Sequence, residues 1–386
     1  GNRFMRDKEI KKLIYLTFGD QYSGVYQSQV IDVLEFLETN DIAHPKLIAF
    51  VPYTNYLSNR KVIKNAYPGA KILPMIPSRN HWTPLYSILL FPWLIFNLRY
   101  SRAIFARGIW ACSIAISLRP IFQATVIYDG RGAAKAEWKE YLIENTNQKI
   151  SRIEKAEKHA VTKSDKQLAV SQKLIDYWTE NYAFSSKNFV VIPCTINQLF
   201  EQEHTIKVSI KELDLKKPII AYAGGTDKWQ SFDLLTQYAQ NLLSKSPDIQ
   251  FLFLTKKNSA IINLQNQYPD RVLCLWVAPA EVRSYLELAD YGIIIREPTI
   301  TNKVSSPTKI AEYLASGLTP IISDSIGDYS EALLKSKIAI STNLLTTSQL
   351  TLAKQTAESK LRNRDFCLTH FTKTKFKNQY INLVKG

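Results

Sequence analysis

The chain has 386 residues, 46% of them hydrophobic, and a formal net charge of +15. That length accommodates two domains of ordinary size, and that composition excludes an intrinsically disordered chain. Four scattered cysteines, Cys112, Cys194, Cys274 and Cys367, form no C-x-x-C pair, which excludes a disulfide framework and reads as buried apolar side chains in a reducing compartment.

The first twelve residues, GNRFMRDKEIKK, lack the apolar core of a signal peptide, so a cytoplasmic protein is expected. Residues 12–18 read as a first strand. After the loop 19–24, a helix over about 25–38 carries Val30, Val33, Leu34 and Leu37 at helical spacing. Apolar runs at 46–51, 103–106 and 125–128 alternate with helical segments, the pattern of a parallel sheet covered on both faces. The stretch 136–162 is charged on most sides and predicts a surface helix. Short strands follow at 168–170 and 188–193, and the polar segment 195–217 reads as a linker. A second alternation then has strands at 218–223, 250–255, 272–276, 291–295 and 319–323. The expected fold class is therefore α/β, two Rossmann-like domains in tandem, with the loops after the strands facing a common cleft.

The most informative stretch is 296–323, REPTITNKVSSPTKIAEYLASGLTPIIS. Arg296 follows a strand directly, either as an anion ligand or paired with Glu297. Ser306 and Pro307 signal a helix start at the cap and first helical position, and Gly317 its end. Ile310, Tyr313 and Leu314 face the core, leaving Lys309 and Glu312 together on an adjoining face. Free amides and the positive dipole end of such a helix suit a diphosphate, while Glu312, ~9 Å along the axis from Ser306, suits ribose hydroxyls. The alternative is a capped amphipathic helix with a surface Lys and Glu.

The string Ser306, Pro307, Thr308, Lys309, then Ala311, Glu312, Tyr313, Leu314, Ala315, Gly317 and Leu318, resembles the donor-site helix of family 4 glycosyltransferases of the GT-B fold. Asp129, Gly130, Arg131 and Gly132 resemble the D-x-R-G loop of that group's first domain. Segments 170–172, 191–193 and 222–230 are similar to its "vS", "vIP" and second-domain opening loops, in the same order. The resemblance implies an acceptor domain over 1–194, a nucleotide-sugar donor domain over 195–370, and a C-terminal segment 371–386 crossing back onto the first. It also implies a retaining transfer from a nucleotide-sugar donor to a glycan or lipid-linked acceptor. Two departures stand out: the Glu usual eight residues before the helix Glu is Val304, and the usual G-R pair is Gly224 and Gly225, leaving Lys228 as the nearest phosphate cation.

Candidate donor-binding residues are thus Gly24, Gly225, Lys228, Arg296, Ser306, Pro307, Thr308, Lys309 and Glu312. Arg107 and Asp129 follow strand ends and are catalytic candidates with Arg131, which either binds an acceptor phosphate or pairs with Asp129. No H-E-x-x-H or strand-flanked D-x-D occurs, so metal independence is expected, with no cofactor beyond the donor substrate. A nucleotide-sugar epimerase or a non-catalytic nucleotide-sugar binder are the competing readings.

From residue 42 to 128 there is no Asp or Glu, yet ten Lys and Arg fall there, from Lys46 to Arg119. Inside lies the apolar run 85–98, interrupted by Pro92 and shorter than the ~20 residues a bilayer needs, so it is either a core helix or an interfacial one. With Arg79, His81, Trp82, Tyr86, Trp93, Arg99 and Tyr100 around it, an anionic membrane face is one expected partner. Nucleic acid is not expected, since no zinc finger, RNP or helix-turn-helix signature accompanies the charge.

Overall fold

The computed structural model describes residues 12–76, 83–98, 101–141, 147–225, 227, 230–343 and 351–385. Seven strands form one sheet: β1 (Lys12–Phe18), β2 (His44–Val51), β3 (Lys71–Pro74), β4 (Ser101–Arg107), β5 (Thr125–Gly130), β6 (Lys166–Ala169) and β7 (Phe189–Val191). Their order is β3-β2-β1-β4-β5-β6-β7, every neighbour parallel. Six more form a second: β8 (Ile219–Ala223), β9 (Gln250–Leu254), β10 (Val272–Cys274), β11 (Tyr291–Ile294), β12 (Thr319–Ile322) and β13 (Ile340–Ser341), ordered β10-β9-β8-β11-β12-β13 and again all parallel. Both sheets are buried on both faces because helices return each strand to the same side, which is why their strands read as continuous apolar runs. The sequence misses two edge strands: β3 has four residues ending in a proline and β13 has two.

Each sheet separates two apolar clusters, one per face. The helix Ala357–His370 packs on the second half through Cys367, while Lys377–Val384 lays Tyr380, Leu383 and Val384 against the first sheet. The first helix is interrupted: Gly24–Tyr26 and Asp32–Thr39 are joined by a π-helical turn, Gln27–Ile31, which turns Gln29 inward. The expected surface helix over 136–162 is instead two helices, Ala134–Tyr141 and Asn147–Lys163, packed on the first core. The second is not superficial, because Glu157 is fully buried and accepts hydrogen bonds from Ala134 N and the Tyr182 hydroxyl. The linker region 195–217 also contributes to a core, burying Ile196, Phe200, Ile210 and Leu213.

The helix Thr83–Leu98 contains Pro92 and buries Tyr86, Ser87 and Leu90, while Ile88, Leu89 and Phe91 are exposed. No helix among the described residues is long and apolar enough to cross a membrane. Arg79, His81, Trp82, Arg99 and Tyr100 lie outside the described residues.

The two halves meet through reciprocal helix caps. Glu140 of the first half accepts from Ile300 N (3.0 Å), Thr301 N (2.9 Å) and Thr301 Oγ1 (2.7 Å), at the start of the short helix Ile300–Lys303. Asp328 of the second half accepts from Gln172 N (2.6 Å) and Lys173 N (3.2 Å), at the start of the helix Gln172–Tyr182. Free helix-terminal amides are thereby satisfied across the cleft in both directions.

Candidate active site

On the second half, strand β11 delivers Arg296 into the cleft. Its backbone N–H donates to Ser323 Oγ (2.9 Å), and Glu297 N donates to Ser231 Oγ (2.9 Å), so the loop is fixed by two hydroxyls rather than by a salt bridge of its side chains. Arg296 Nε is buried and, among the described residues, has no hydrogen-bond partner. Burial also pushes its pKa below the usual guanidinium value, opposed by the hydroxyls of Tyr222, Tyr313 and Tyr141. A buried donor left unsatisfied is costly, and the natural relief is an anion.

Lys309, Tyr222, Gln230 and Ala223 line the same small recess as Arg296. Lys309 belongs to the helix Thr308–Ala315 and pairs with Glu312 at 2.8 Å, its ammonium one-third exposed. The helix starts one residue later than the sequence signal: Pro307 is the cap, with no side-chain cap bond, and Thr308 is the first helical residue. Ser306 is instead taken by the interface between halves, its hydroxyl accepting from Cys194 N (2.9 Å) and donating to Tyr329 (3.2 Å). The helix ends at Ala315, and Gly317, at φ +87°, supplies the left-handed residue that lets Leu318 N bond back to Tyr313 O.

The helix comes close to β11 because position 292 is glycine: a Cβ there would lie 2.3 Å from the Tyr313 ring. Tyr313 Oη then donates to Ile293 O and accepts from Ala223 N, both at 3.1 Å, pinning the helix start beside Arg296. Gly225 is exposed on the loop after β8, its carbonyl accepting from Tyr222 (2.5 Å). Lys228 lies outside the described residues. Gly24 is exposed at the start of the first helix, with open space where a Cβ would stand.

On the first half, Asp129 is 2% exposed. Its carboxylate accepts from Tyr15 Oη at 2.6 Å and Arg131 Nη1 at 3.2 Å, and Arg107 Nη1 lies 4.0 Å away. Of the two readings left open for Arg131, the pair with Asp129 is present. Its other amino group donates to Gln29 Oε1 (3.3 Å) and Cys194 Sγ (3.1 Å), and Gln29 continues to Thr195 O (2.9 Å). Asp129 and Arg131 thus form a strut from strand end to crossover. Arg107 caps the helix Gly108–Phe122 and reaches Asp20 at 3.8 Å; burial raises the Asp20 pKa while Arg107 opposes the rise.

Four functional candidates escape the sequence: Tyr15, Gln29, Glu137 and Glu140. For the paired ones the partner lies far along the chain, 114 residues from Tyr15 to Asp129 and 160 from Glu140 to Ile300, and no local pattern reports such pairs. Val304 is turned away from the donor side altogether. It is 3% exposed within the first half's core, and its carbonyl accepts from Ser171 Oγ at 2.6 Å.

No family model matches the chain, and no curated protein sequence matches it either. Solved structures do share its fold. Sucrose-phosphate synthase from Thermosynechococcus elongatus is 14% identical at a TM-score of 0.66, over 96% of this chain and 97% of that one. Anabaena HepE in complex with UDP is 11% identical at 0.63, over 95% and 98%. A glycosyltransferase from Rickettsia africae is 16% identical at 0.63, over 97% and 99%. The architecture is therefore GT-B, α/β with two parallel Rossmann-like sheets.

Proposed function

We propose that the chain is a glycosyltransferase that moves a sugar from a nucleoside-diphosphate donor, held by the second half, to a hydroxyl of an acceptor glycan or lipid-linked glycan held by the first. The observation that carries this reading is the buried, unpartnered Arg296 Nε beside Lys309 and the uncapped start of the helix Thr308–Ala315. Two cations and free amides converge where a diphosphate would neutralise them. Glu312, held by Lys309, is placed to accept from ribose hydroxyls. The nearby fold relatives include one solved with UDP, which supports the same ligand class here.

In this reading the diphosphate leaves toward Arg296, Lys309 and the helix amides while the acceptor hydroxyl attacks on the same face. Fixed positive charge at the leaving group supplies most of the rate enhancement, with no metal required. The strut Tyr15–Asp129–Arg131–Gln29 positions the acceptor-side loop and touches no reacting atom. The exposed Ile88, Leu89 and Phe91, in a stretch of chain rich in cations and free of carboxylates, suit docking on an anionic bilayer face where each Lys or Arg contributes roughly 1 kcal/mol. Flotation with anionic liposomes checks this, and salt-insensitive or absent binding would remove it.

The deciding experiment is a thermal-shift panel of UDP, GDP, dTDP and CMP sugars with and without EDTA. A ligand at 100 times its Kd stabilises by about 2.7 kcal/mol. A rise with one base, unchanged by EDTA, is expected; no rise with any of them refutes the donor site. Release of nucleoside diphosphate on adding acceptor then separates transfer from epimerisation and from binding alone.

A further inference from the structure

A cavity of about 380 Å³ lies away from Arg296, in the first half, between the start of the helix Gly108–Phe122, the turn after β5 and the helices Ala134–Tyr141 and Asn147–Lys163. We propose that this cavity is the acceptor site and takes a glycoside bearing an apolar or aromatic aglycone, its sugar ring lying on Trp138 or Trp110 and one hydroxyl meeting the Glu137 carboxyl. The proposal rests on the transferase reading for the word acceptor, but its binding chemistry stands on the cavity alone.

The walls decide the ligand class. Ile109, Trp110, Tyr128, Trp138 and Ile153 are apolar or aromatic, and the polar lining is confined to Arg131, Glu137, Lys149 and Arg152. A bare sugar presents hydroxyls on every edge, and each one buried without a partner is costly. A ligand with one polar end and one apolar end matches these walls, and the volume is that of a typical small-ligand pocket of ~300–1,000 Å³. Lys149 stands 5.8 Å over the Trp138 ring, a cation–π contact between two of the lining residues.

Glu137 is the recognition group. Among the described residues its carboxylate has no hydrogen-bond partner, although Glu157 and Glu140 on the same pair of helices are fully engaged. Gly132 makes room for it: a Cβ there would stand 2.3 Å from Glu137 Oε1. Glu137 as a residue is exposed at the cavity, yet the protein around its carboxyl, with the carboxylates of Glu157 and Glu140, pushes its pKa up to about 7. Arg131, Lys149 and Arg152 are the cations lining the same space. Near neutral pH the group therefore both donates to and accepts from a sugar hydroxyl.

The cavity is also within reach of the donor. The helix Ala134–Tyr141 contributes Ala134, Glu137 and Trp138 to it, and at its other end Tyr141 Oη bonds Thr299 Oγ1 at 2.8 Å, three residues beyond Arg296. An eight-residue helix is ~12 Å long, so one rigid element runs from the cavity to the loop that carries Arg296.

The test uses the full chain and tryptophan fluorescence, titrated with octyl, phenyl and methyl β-glycosides of glucose, galactose and N-acetylglucosamine, below the micelle concentration and without nucleotide. Octyl or phenyl glycosides of at least one sugar should quench saturably and bind at least tenfold more tightly than the methyl glycoside. Trp138→Ala, or Trp138→Phe should alanine fail to fold, should lose most of the quench. Glu137→Gln should weaken binding at least fivefold and abolish the pH dependence of binding around pH 7 in a variant that still unfolds cooperatively. No saturable binding by any glycoside, equal binding of methyl and octyl forms, or wild-type affinity in both folded variants would overturn the proposal. The nucleotide panel above fails or succeeds separately, so glycoside binding without nucleotide binding would retain the cavity and discard the transferase.

Discussion

At the scale of single residues, the proposed reading separates groups that would meet substrate from groups that hold them. Asp129 is of the second kind. Asp129→Asn removes the charge facing Arg131 and Arg107, and breaking a buried pair of this sort costs about 3–5 kcal/mol. Urea melts should register that loss, with nucleotide affinity little changed. Arg296 is of the first kind: Arg296→Ala relieves an unpartnered donor, so stability should hold or rise while UDP affinity by calorimetry falls at least tenfold. Glu137 gives a pH signature. Its carboxyl ordinarily titrates at 4.5 and is raised to about 7 in the folded chain, so the unfolded chain loses its proton first. Stability contributed by this group is therefore present below 4.5 and falls as pH rises to about 7. Glu137→Gln should flatten that part of the Tm profile, and an unaltered profile would refute the assignment. Arg296, Lys309 and Glu312 are legible in sequence because helix spacing and strand ends place them. Glu137 is not, because what distinguishes it is Gly132 and two other carboxylates folded around it.

At the scale of elements, the strands are legible where both faces are covered, since β1, β8, β9 and β11 present unbroken apolar runs. The donor-side helix is legible to within two residues, and its late start has a cause: Ser306 serves the interface, so its hydroxyl is unavailable as a cap. The segment 299–305 is where local reading fails. The resembled family usually carries a Glu at position 304, and here Val304 instead completes the core of the opposite half. Val304→Glu would bury a carboxylate without a partner, so a loss of roughly 3 kcal/mol or more is expected, with no gain in donor affinity. A variant of normal stability that bound nucleotide sugar more tightly would contradict this placement.

At the scale of the whole molecule, the two halves are joined at the crossover and clasped by the two exchanged caps. Lys373, 2% exposed, donates to Thr195 Oγ1 (2.9 Å) and Ile196 O (3.2 Å) at the crossover. Burial depresses its pKa to about 8 against the opposing pull of Asp32 and Glu201. The unfolded chain keeps that proton longer, so its contribution makes stability rise between about 8 and the ordinary 10.5, and Lys373→Met should remove the rise. None of this is visible in sequence, because alternation of strand and helix specifies each sheet but says nothing of how two sheets face each other. Glu140→Ala and Asp328→Ala should each cost about 0.5–2 kcal/mol, the usual worth of a helix cap, and together enlarge the radius of gyration measured by X-ray scattering.

The caps also set the thermal character of the cleft. Parting Glu140 from Ile300 and Thr301, and Asp328 from Gln172 and Lys173, wets carboxylates and amides, and Val304 is an apolar side chain released beside them. Hydrating polar surface lowers the heat capacity and hydrating apolar surface raises it, so the two nearly cancel for this clasp. The balance between open and closed forms should consequently drift little between cold and warm. It should respond instead to ionic strength, which screens exposed carboxylates from the amide dipoles they hold.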